Sequence, residues 1–305
     1  MKCPICDKQK TVRQLSRHKE FRILFCDGCR LRFSDPMKNP GMRYYETSNL
    51  YKDNRDLNKV ARIPNHDWRF ITFLKNYRKT DGKKILDIGC GDGGFLALAR
   101  EKGFKVYGVD HDRRSAVLAK SLYKIKTVKV GSCKNISRNN TWKGFSVVTL
   151  FDVLEHVSNP IDTLKTASGL IKKGGTICIS VPRFDRKPIL FDIEVDFPPH
   201  HFTLWTPQSL EKALSAAGFS DIKIIKKPLM INDFRPHLIW RFKRLLKGSN
   251  PTKNTKMTSK GNLSKGISLK RLIKGISLPS TMLADAILKS LKIGRGHTLL
   301  ALAKK

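Results

Sequence analysis

The segment KILDIGCGDGGF, residues 84–95, joins a short apolar run to a loop with glycine at positions 89, 91 and 93, and a helical pattern follows. A strand that ends in alternating glycines and leads into a helix lets a ligand approach the backbone closely. The free N–H groups at the start of that helix then face the ligand. The segment predicts a ligand-binding βα unit, and the alternative is a tight βα turn without a ligand.

Carboxylates stand at two informative positions around this loop. Asp87 precedes the first glycine, where it can meet a cationic or hydroxyl-bearing ligand. Asp110 ends the next predicted strand, about twenty residues further on, where an acidic side chain can hold ribose hydroxyls. The glycine spacing departs from the dinucleotide pattern Gly-x-Gly-x-x-Gly, although Gly94 leaves that pattern formally present. A nicotinamide-binding domain is therefore the alternative.

Together, the glycine loop and Asp110 resemble motif I and the following acidic position of class I S-adenosylmethionine-dependent methyltransferases. The resemblance implies S-adenosylmethionine as the cofactor. It implies a cofactor site formed by Asp87, Gly89, Cys90, Gly91, Gly93, Asp110, His111, Ser132 and Asp152. At Ser132 the sequence departs from the family, which often has an acidic residue there that contacts adenine.

Strand and helix patterns alternate along the middle of the chain. The predicted strands are 83–88, 105–109, 126–130, 145–150, 176–181 and 221–226, and the predicted helices are 66–79, 94–102, 112–123, 160–172 and one that Thr206 and Pro207 begin. This alternation predicts a parallel sheet with helices on both faces, which binds ligands at the carboxyl ends of its strands. The family fold implies a seventh, antiparallel strand, and residues 298–303 fit it. The expected fold is α/β, with a Rossmann-like seven-stranded class I methyltransferase sheet.

Two Cys-x-x-Cys pairs, Cys3 with Cys6 and Cys26 with Cys29, lie near the N-terminus. Four sulfurs on two tight turns can converge on one tetrahedral ion, and four thiolates close its coordination sphere. The spacing predicts a zinc ribbon with a structural zinc ion, and two redox dithiols are the alternative. Seven cysteines in this pattern indicate a reduced compartment rather than a disulfide framework.

Two histidine-containing blocks extend the resemblance. Val-Leu-Glu-His-Val, residues 153–157, follows the fourth strand, and Pro-Pro-His-His-Phe, residues 198–202, closes a predicted substrate lid over 183–206. With the ribbon and the tyrosines at 44 and 45, these blocks resemble methyltransferases of polysaccharide and modified-sugar pathways.

In that group the histidine of the second block is the general base, which implies His201, with His200 beside it. His156 is then a base, a substrate ligand or an orienting residue, and a tyrosine at 44 or 45 either lies near the site or packs under the ribbon. The adjacent histidines also suggest a metal site, but the sequence places no carboxylate or further histidine clearly beside them.

Basic residues outnumber acidic ones, with 60 Lys and Arg against 25 Asp and Glu and a net charge of +35. From Arg235 to the end there are 17 basic residues and one acidic residue. Such a surface attracts phosphates, acidic glycans or anionic lipids. Residues 235–292 read as a basic amphipathic segment that associates with an anionic membrane surface or caps the lid. Neither a signal peptide nor a transmembrane run is apparent, so we expect a cytoplasmic protein, alternatively peripheral at the inner membrane face.

These patterns predict three parts: a zinc ribbon and lead-in over 1–45, a methyltransferase domain over 60–231 plus 294–305, and a basic helical insertion over 232–293. We expect methyl transfer from S-adenosylmethionine to a small-molecule or glycan acceptor, with a histidine general base. The alternative among enzymes is an RNA methyltransferase that binds RNA through its ribbon and basic surface. The alternative outside enzymes is a non-catalytic membrane or nucleic-acid adaptor.

Overall fold

The computed structural model describes residues 1–38, 40, 41, 44, 63–77, 82–138, 142–186, 194–229 and 296–305. The chain divides into two compact units. The first comprises Met1–Asp185, Glu194–Lys227 and Thr298–Lys305, and it contains every element named below. The second comprises Arg186–Ile193 and Pro228–His297. The predicted basic insertion, residues 232–293, lies outside the described residues. The domain boundaries predicted from the sequence stay predictions.

The N-terminal part, residues 1–35, is called the cysteine module below. Its strands β1 (Val12–His18), β2 (Phe21–Cys26) and β3 (Arg32–Asp35) form an antiparallel sheet in chain order. A fourth strand of this sheet comes from far along the chain and pairs antiparallel with β3. The last strand of the module's sheet therefore belongs to the predicted lid over 183–206.

The larger sheet has seven strands. They are β4 (Lys84–Ile88), β5 (Lys105–Asp110), β6 (Val128–Val130), β7 (Phe145–Phe151), β8 (Ile171–Pro182), β10 (Ser220–Lys226) and β11 (Thr298–Lys304), and β9 (Thr203–Leu204) is the strand added to the cysteine module. The order is β10–β11–β8–β7–β4–β5–β6, and β11 runs antiparallel to both of its neighbours. The predicted fold class and the antiparallel role of residues 298–303 are confirmed.

Apolar side chains pack on both faces of this sheet. Every residue of β7 is buried, as expected for a central strand covered on both sides. Successive residues of β4 point to opposite faces, so Ile85 and Leu86 belong to different buried clusters. The covering helices are α1 (Trp68–Asn76), α2 (Gly94–Glu101), α3 (Arg113–Tyr123), α4 (Cys133–Ser137), α5 (Pro160–Leu170) and α6 (Pro207–Ala216).

The ends of two helices test the sequence prediction directly. Thr206 caps α6 as predicted, since its hydroxyl accepts a hydrogen bond from the Ser209 N–H at 3.2 Å and Pro207 occupies the first turn. In contrast, α5 ends two residues before the predicted 172. Ile171 adopts extended backbone there and pairs with Phe145, so β8 begins five residues earlier than expected. No helix among the described residues is long and apolar enough to cross a membrane.

Candidate functional site

The glycine loop connects β4 to α2 at the carboxyl edge of the sheet. Gly89, Gly91 and Gly93 have φ angles of 76°, 51° and 85°, a region that favours glycine. A β-carbon at Gly89 would lie 2.4 Å from the side chain of Val153. At Gly91 it would meet nothing within 4 Å among the described residues. The loop therefore packs tightly against the protein at Gly89 and leaves open space beside the backbone at Gly91.

Asp110 ties the end of β5 to this loop. One carboxylate oxygen accepts the Gly91 N–H at 2.8 Å, and the other accepts the Asp112 N–H at 2.8 Å. Each carboxylate oxygen has two lone pairs, so both retain capacity for a ligand hydroxyl. His111, the next residue, is exposed. The structure thus brings Asp110 and the glycine loop together, as the sequence predicts.

Asp87, in β4 just before the loop, and Cys90, within the loop, are both buried. The carboxylate of Asp87 is 3% exposed and accepts a hydrogen bond from the Thr149 hydroxyl at 2.6 Å. Burial raises the pKa of Asp87 to about 7 and raises the pKa of the Cys90 thiol. Their surroundings support a structural contribution to the loop, and their predicted cofactor contacts stay predictions.

Two further predicted cofactor residues have protein partners. Asp152, at the exit of β7, accepts a hydrogen bond from the Ser180 hydroxyl at 2.6 Å and forms an ion pair with Arg69 of α1. Ser132 caps α4, because its hydroxyl accepts the Asn135 N–H at 3.1 Å. These contacts fix the ends of β7 and β6, and the predicted contact from Ser132 to adenine stays a prediction.

The three candidate catalytic histidines, His156, His200 and His201, form one group that we call the histidine cluster. Their ring centroids are 4.4–5.1 Å apart. Nδ1 of His156 donates a hydrogen bond to the His200 carbonyl at 2.6 Å, which fixes its tautomer. Burial lowers the pKa of His156 and lowers that of His200 to about 3. The rings of His156 and His200 therefore stay neutral near pH 7.

Glu155 completes this cluster, and the sequence analysis did not single it out. Its side chain is 1% exposed, and Oε1 lies 4.0 Å from Nε2 of both His156 and His201. Its other oxygen has no hydrogen-bond partner among the described residues, and burial raises the pKa well above the ordinary value. The only sequence signal was its place beside His156 in the block 153–157.

The histidine cluster also has the composition of a metal site. One ring nitrogen from each histidine lies within 4.8 Å of the others. Imidazole and carboxylate ligands suit several divalent metals. The sequence placed no carboxylate or further histidine clearly beside His200 and His201, and the structure brings His156 and Glu155 there. The partner residues come from the exit of β7, some 45 positions earlier, which the spacing within the second block cannot reveal.

The four N-terminal cysteines converge as predicted. The sulfurs of Cys3 and Cys29 are 3.4 Å apart, those of Cys6 and Cys26 are 3.5 Å apart, and all four lie within 4.8 Å of one another. Four thiolates at 2.3 Å from a tetrahedral ion would be about 3.8 Å apart. A hydrogen bond from Cys29 lowers the pKa of the Cys3 thiol to about 5. The set fits one tetrahedral metal ion with a small adjustment of the side chains.

The two candidate tyrosines follow the cysteine module in the chain. Tyr45 lies outside the described residues, and the backbone N–H of Tyr44 donates a hydrogen bond to the Gly41 carbonyl at 3.2 Å. The prediction that one of them lies near the site stays a prediction.

Comparison with known proteins places this architecture in a family. Residues 59–224 match the family model described as methyltransferase domain. The ubiquinone biosynthesis O-methyltransferase of Pseudomonas aeruginosa (strain LESB58) is 24% identical over 155 residues, which is 50% of this chain and 62% of that protein. The enzyme of the same name from Aliivibrio fischeri (strain MJ11) is 31% identical over 125 residues, 39% of this chain and 53% of that protein. The chain therefore covers less than two thirds of the length of these relatives.

Solved structures share the fold. A SAM-dependent methyltransferase from Archaeoglobus fulgidus matches with a TM-score of 0.51 and 19% identity, over 84% of this chain and 98% of that chain. Phosphoethanolamine N-methyltransferase 2 from Haemonchus contortus, solved with S-adenosyl-L-methionine, matches with a TM-score of 0.50 and 17% identity, over 90% of this chain and 62% of that chain. From the family match and the strand order, the chain belongs to the methyltransferase-domain family and has the class I S-adenosylmethionine-dependent methyltransferase fold.

Proposed function

We propose that this protein transfers a methyl group from S-adenosylmethionine to a nucleophilic group of a small-molecule or glycan acceptor. One observation carries the proposal. Three adjacent parallel strands, β5, β4 and β7, have their carboxyl ends at the same edge of the sheet. The glycine loop follows β4, Asp110 ends β5, and the exit of β7 leads to the histidine cluster. Ligands bind at this edge in open α/β sheets. A cofactor site and a proton-accepting group therefore share one edge of the sheet.

The residues around the glycine loop fit the cofactor. Gly91 leaves room beside the backbone, and Asp110 keeps lone pairs for ribose hydroxyls. When bound, S-adenosylmethionine supplies a methyl group that its sulfonium has already activated. Gly89 and Gly93 shape the loop, while Asp87 supports it from below through Thr149. The protein's main task is then to align the acceptor and to remove its proton.

On the acceptor side, we assign the general base to His201. Nε2 of His201 lies 4.0 Å from Oε1 of Glu155, so a proton taken up at this nitrogen would place positive charge beside the carboxyl group and would favour its ionised form. The hydrogen bond from His156 to the His200 carbonyl holds the backbone beside the base. His156 and His200 are then orienting neighbours. Loss of a general base costs roughly 10²–10⁴-fold in rate.

The relatives favour oxygen as the atom that is methylated. Several are named ubiquinone biosynthesis O-methyltransferases, and their matched regions cover half of this chain or less. The histidine blocks and the cysteine module instead resemble sugar methyltransferases. A hydroxyl-bearing small molecule or glycan is compatible with both. The membrane prediction rests on residues 235–292, outside the described residues, so it stays a prediction, as do the RNA partner and the cytoplasmic location.

We also propose that Cys3, Cys6, Cys26 and Cys29 bind one structural zinc ion. The support is the convergence of four sulfurs at distances of 3.4–3.5 Å within the two pairs. Thiolate is the ligand that structural zinc sites use most, and a four-thiolate site leaves no position open for a substrate. The ion would then stabilise the cysteine module and take no part in methyl transfer.

Binding and transfer assays test the enzymatic proposal together. Isothermal titration calorimetry with S-adenosylhomocysteine should show one site per chain, and a nicotinamide dinucleotide should not bind. Radiolabelled S-adenosylmethionine should transfer label to at least one member of a panel of phenols, sugars and glycans. Binding of the dinucleotide in place of S-adenosylhomocysteine would overturn the cofactor assignment. Transfer to RNA, with none to the small-molecule panel, would overturn the acceptor class.

A further inference from the structure

We propose that the cysteine module holds the acceptor side of the site in place, with Arg32 as the positioning residue. This inference rests on the proposed function, because it assigns the module to the same reaction. The segment at issue comprises residues 194–206 and is called the histidine segment, since it carries His200 and His201.

The backbone joins the cysteine module to the histidine segment on one side of the two histidines. Strand β3 pairs with β9, with Arg32 opposite Leu204 and Phe33 opposite Thr203. The Ser34 N–H donates a hydrogen bond to the Phe202 carbonyl at 2.8 Å. The Phe202 N–H in turn donates to the Glu155 carbonyl at 2.8 Å. The residue after His201 is thus held between the module and Glu155 of the histidine cluster.

Arg32 holds the segment on the other side of the histidines. Its side chain is buried, and Nη2 donates a hydrogen bond to the Asp196 carbonyl at 3.1 Å. The guanidinium also lies 5.2 Å from the ring centre of Phe197 and 5.3 Å from that of Phe184. A buried guanidinium needs such partners, and cation–π contacts are stronger when they are desolvated. The ring of His18, from β1, stacks on Phe197 with centroids 4.6 Å apart.

Residues 198–201 are therefore fastened at both ends to the same module. Arg32 and His18 hold Asp196 and Phe197 before them, and β3 holds residues 202–204 after them. The apolar interior is also continuous, since Leu31, Phe33 and Trp205 belong to one buried cluster. Between two fixed ends, four residues have few conformations, so His200 and His201 stay beside His156. Loss of one attachment should release them without disturbing the glycine loop.

The test substitutes Arg32→Gln, which removes the charge and the guanidinium fork. The probe is diethyl pyrocarbonate, which modifies accessible neutral imidazoles and is read by mass spectrometry for each histidine. His66 and His111, both exposed, serve as internal references. Modification of His200 and His201 should rise at least about fivefold, the effect of ~1 kcal/mol of local stability. Hydrogen exchange should increase across 196–206, while S-adenosylhomocysteine affinity should change less than about twofold.

Arg17→Gln is the matched control, because Arg17 is an exposed arginine on β1 of the same module. It removes the same charge and should leave every readout unchanged. Arg32→Lys keeps the charge but loses the fork-shaped donor and should give an intermediate result. If Arg32→Gln does not fold, His18→Ala tests the same attachment through the stack on Phe197 and should raise modification of both histidines to a smaller extent.

Turnover on an acceptor found in the label-transfer assay completes the test. Arg32→Gln should lower kcat at least tenfold and leave the KM for S-adenosylmethionine unchanged. General destabilisation of the fold would instead alter both kcat and this KM when the temperature is raised. Unchanged modification of His200 and His201 in both Arg32→Gln and His18→Ala would overturn the inference and leave methyl transfer untouched. Absence of S-adenosylhomocysteine binding to the unmodified protein would instead overturn the proposed function.

Discussion

Replacement of Asp110 by alanine gives the sharpest test of the proposed cofactor site. The carboxylate accepts two backbone hydrogen bonds, from Gly91 and from Asp112, and each is 2.8 Å long. The first crosses from β5 to the glycine loop, and the second closes a local turn. The substitution Asp110→Ala therefore removes the predicted ribose contact and one of the bonds that hold the loop in its binding conformation.

The size of the effect follows from these bonds. A hydrogen bond to a charged group contributes about 1.5–3 kcal/mol, so loss of the ligand contact alone lowers affinity by at least about tenfold. The Gly91 N–H regains part of its bond from water, since Asp110 is only partly buried. Loop ordering adds to the cost of binding. We expect a total loss of at least ~1.5 kcal/mol, or at least about tenfold in the dissociation constant.

The neighbouring substitution Asp112→Ala is the control. Asp112 caps α3 by accepting the Arg114 N–H at 2.9 Å, and among the described residues its side chain makes no hydrogen bond to the glycine loop. Its loss should lower the free energy of unfolding by ~0.5–2 kcal/mol, as for other caps. Calorimetry with S-adenosylhomocysteine and urea unfolding of both variants separate the two effects. Affinity should fall only for Asp110→Ala.

Two results would refute this reasoning. If Asp110→Ala binds S-adenosylhomocysteine within threefold of the unmodified protein, the carboxylate does not hold the ribose. If Asp112→Ala loses as much affinity as Asp110→Ala, the effect comes from the fold of this region and not from a ligand contact. Asp110→Asn adds a further check, because an amide retains one acceptor oxygen and should lose less affinity.

Three further predictions concern the metal, the base and acid stability. Elemental analysis should find one zinc per chain and Cys26→Ser should lose it, whereas a second equivalent of metal would point to the histidine cluster. His201→Asn should lower turnover roughly 10²–10⁴-fold with cofactor affinity within about threefold, and normal turnover would exclude His201 as the base. The pKa of His200 is lowered to about 3, so the unfolded chain takes up a proton first as the pH falls below 6.5. Stability from this residue is therefore complete above pH 6.5 and is lost towards pH 3. Between pH 7 and 5 the unmodified protein should lose at most ~2 kcal/mol more of its free energy of unfolding in urea than His200→Asn does.

The fold was predictable where local patterns decide it. The apolar run before Gly89 gave β4, and the Thr206–Pro207 pair gave the start of α6. The apolar residues 298–303 could be placed in the sheet because the family fold leaves one antiparallel position to fill. The early end of α5 was not predicted, because Ile171 fits the helical pattern. It pairs instead with Phe145 of β7, which is distant in the sequence, and a local pattern does not show such a pairing.

The site was predictable residue by residue but not as an arrangement. The blocks 153–157 and 198–202 each supplied candidates, yet only the fold shows that Glu155 and His156 meet His200 and His201. The pairing of β3 with β9 was not predicted either, since a two-residue strand has no periodic pattern of its own. Contacts of this kind depend on packing between separate segments, which composition and spacing do not encode.

The pairing of β10 with β11 makes the long connection between them removable. Lys226 lies opposite Leu299, and the Lys227 N–H donates a hydrogen bond to the Thr298 carbonyl at 3.0 Å, so the chain leaves the sheet and re-enters it at neighbouring points. A short hairpin turn can bridge that gap. Evolution can therefore replace this connection without rebuilding the sheet. A version of the protein with a short turn in place of residues 228–297 would lose 13 of its 35 net positive charges.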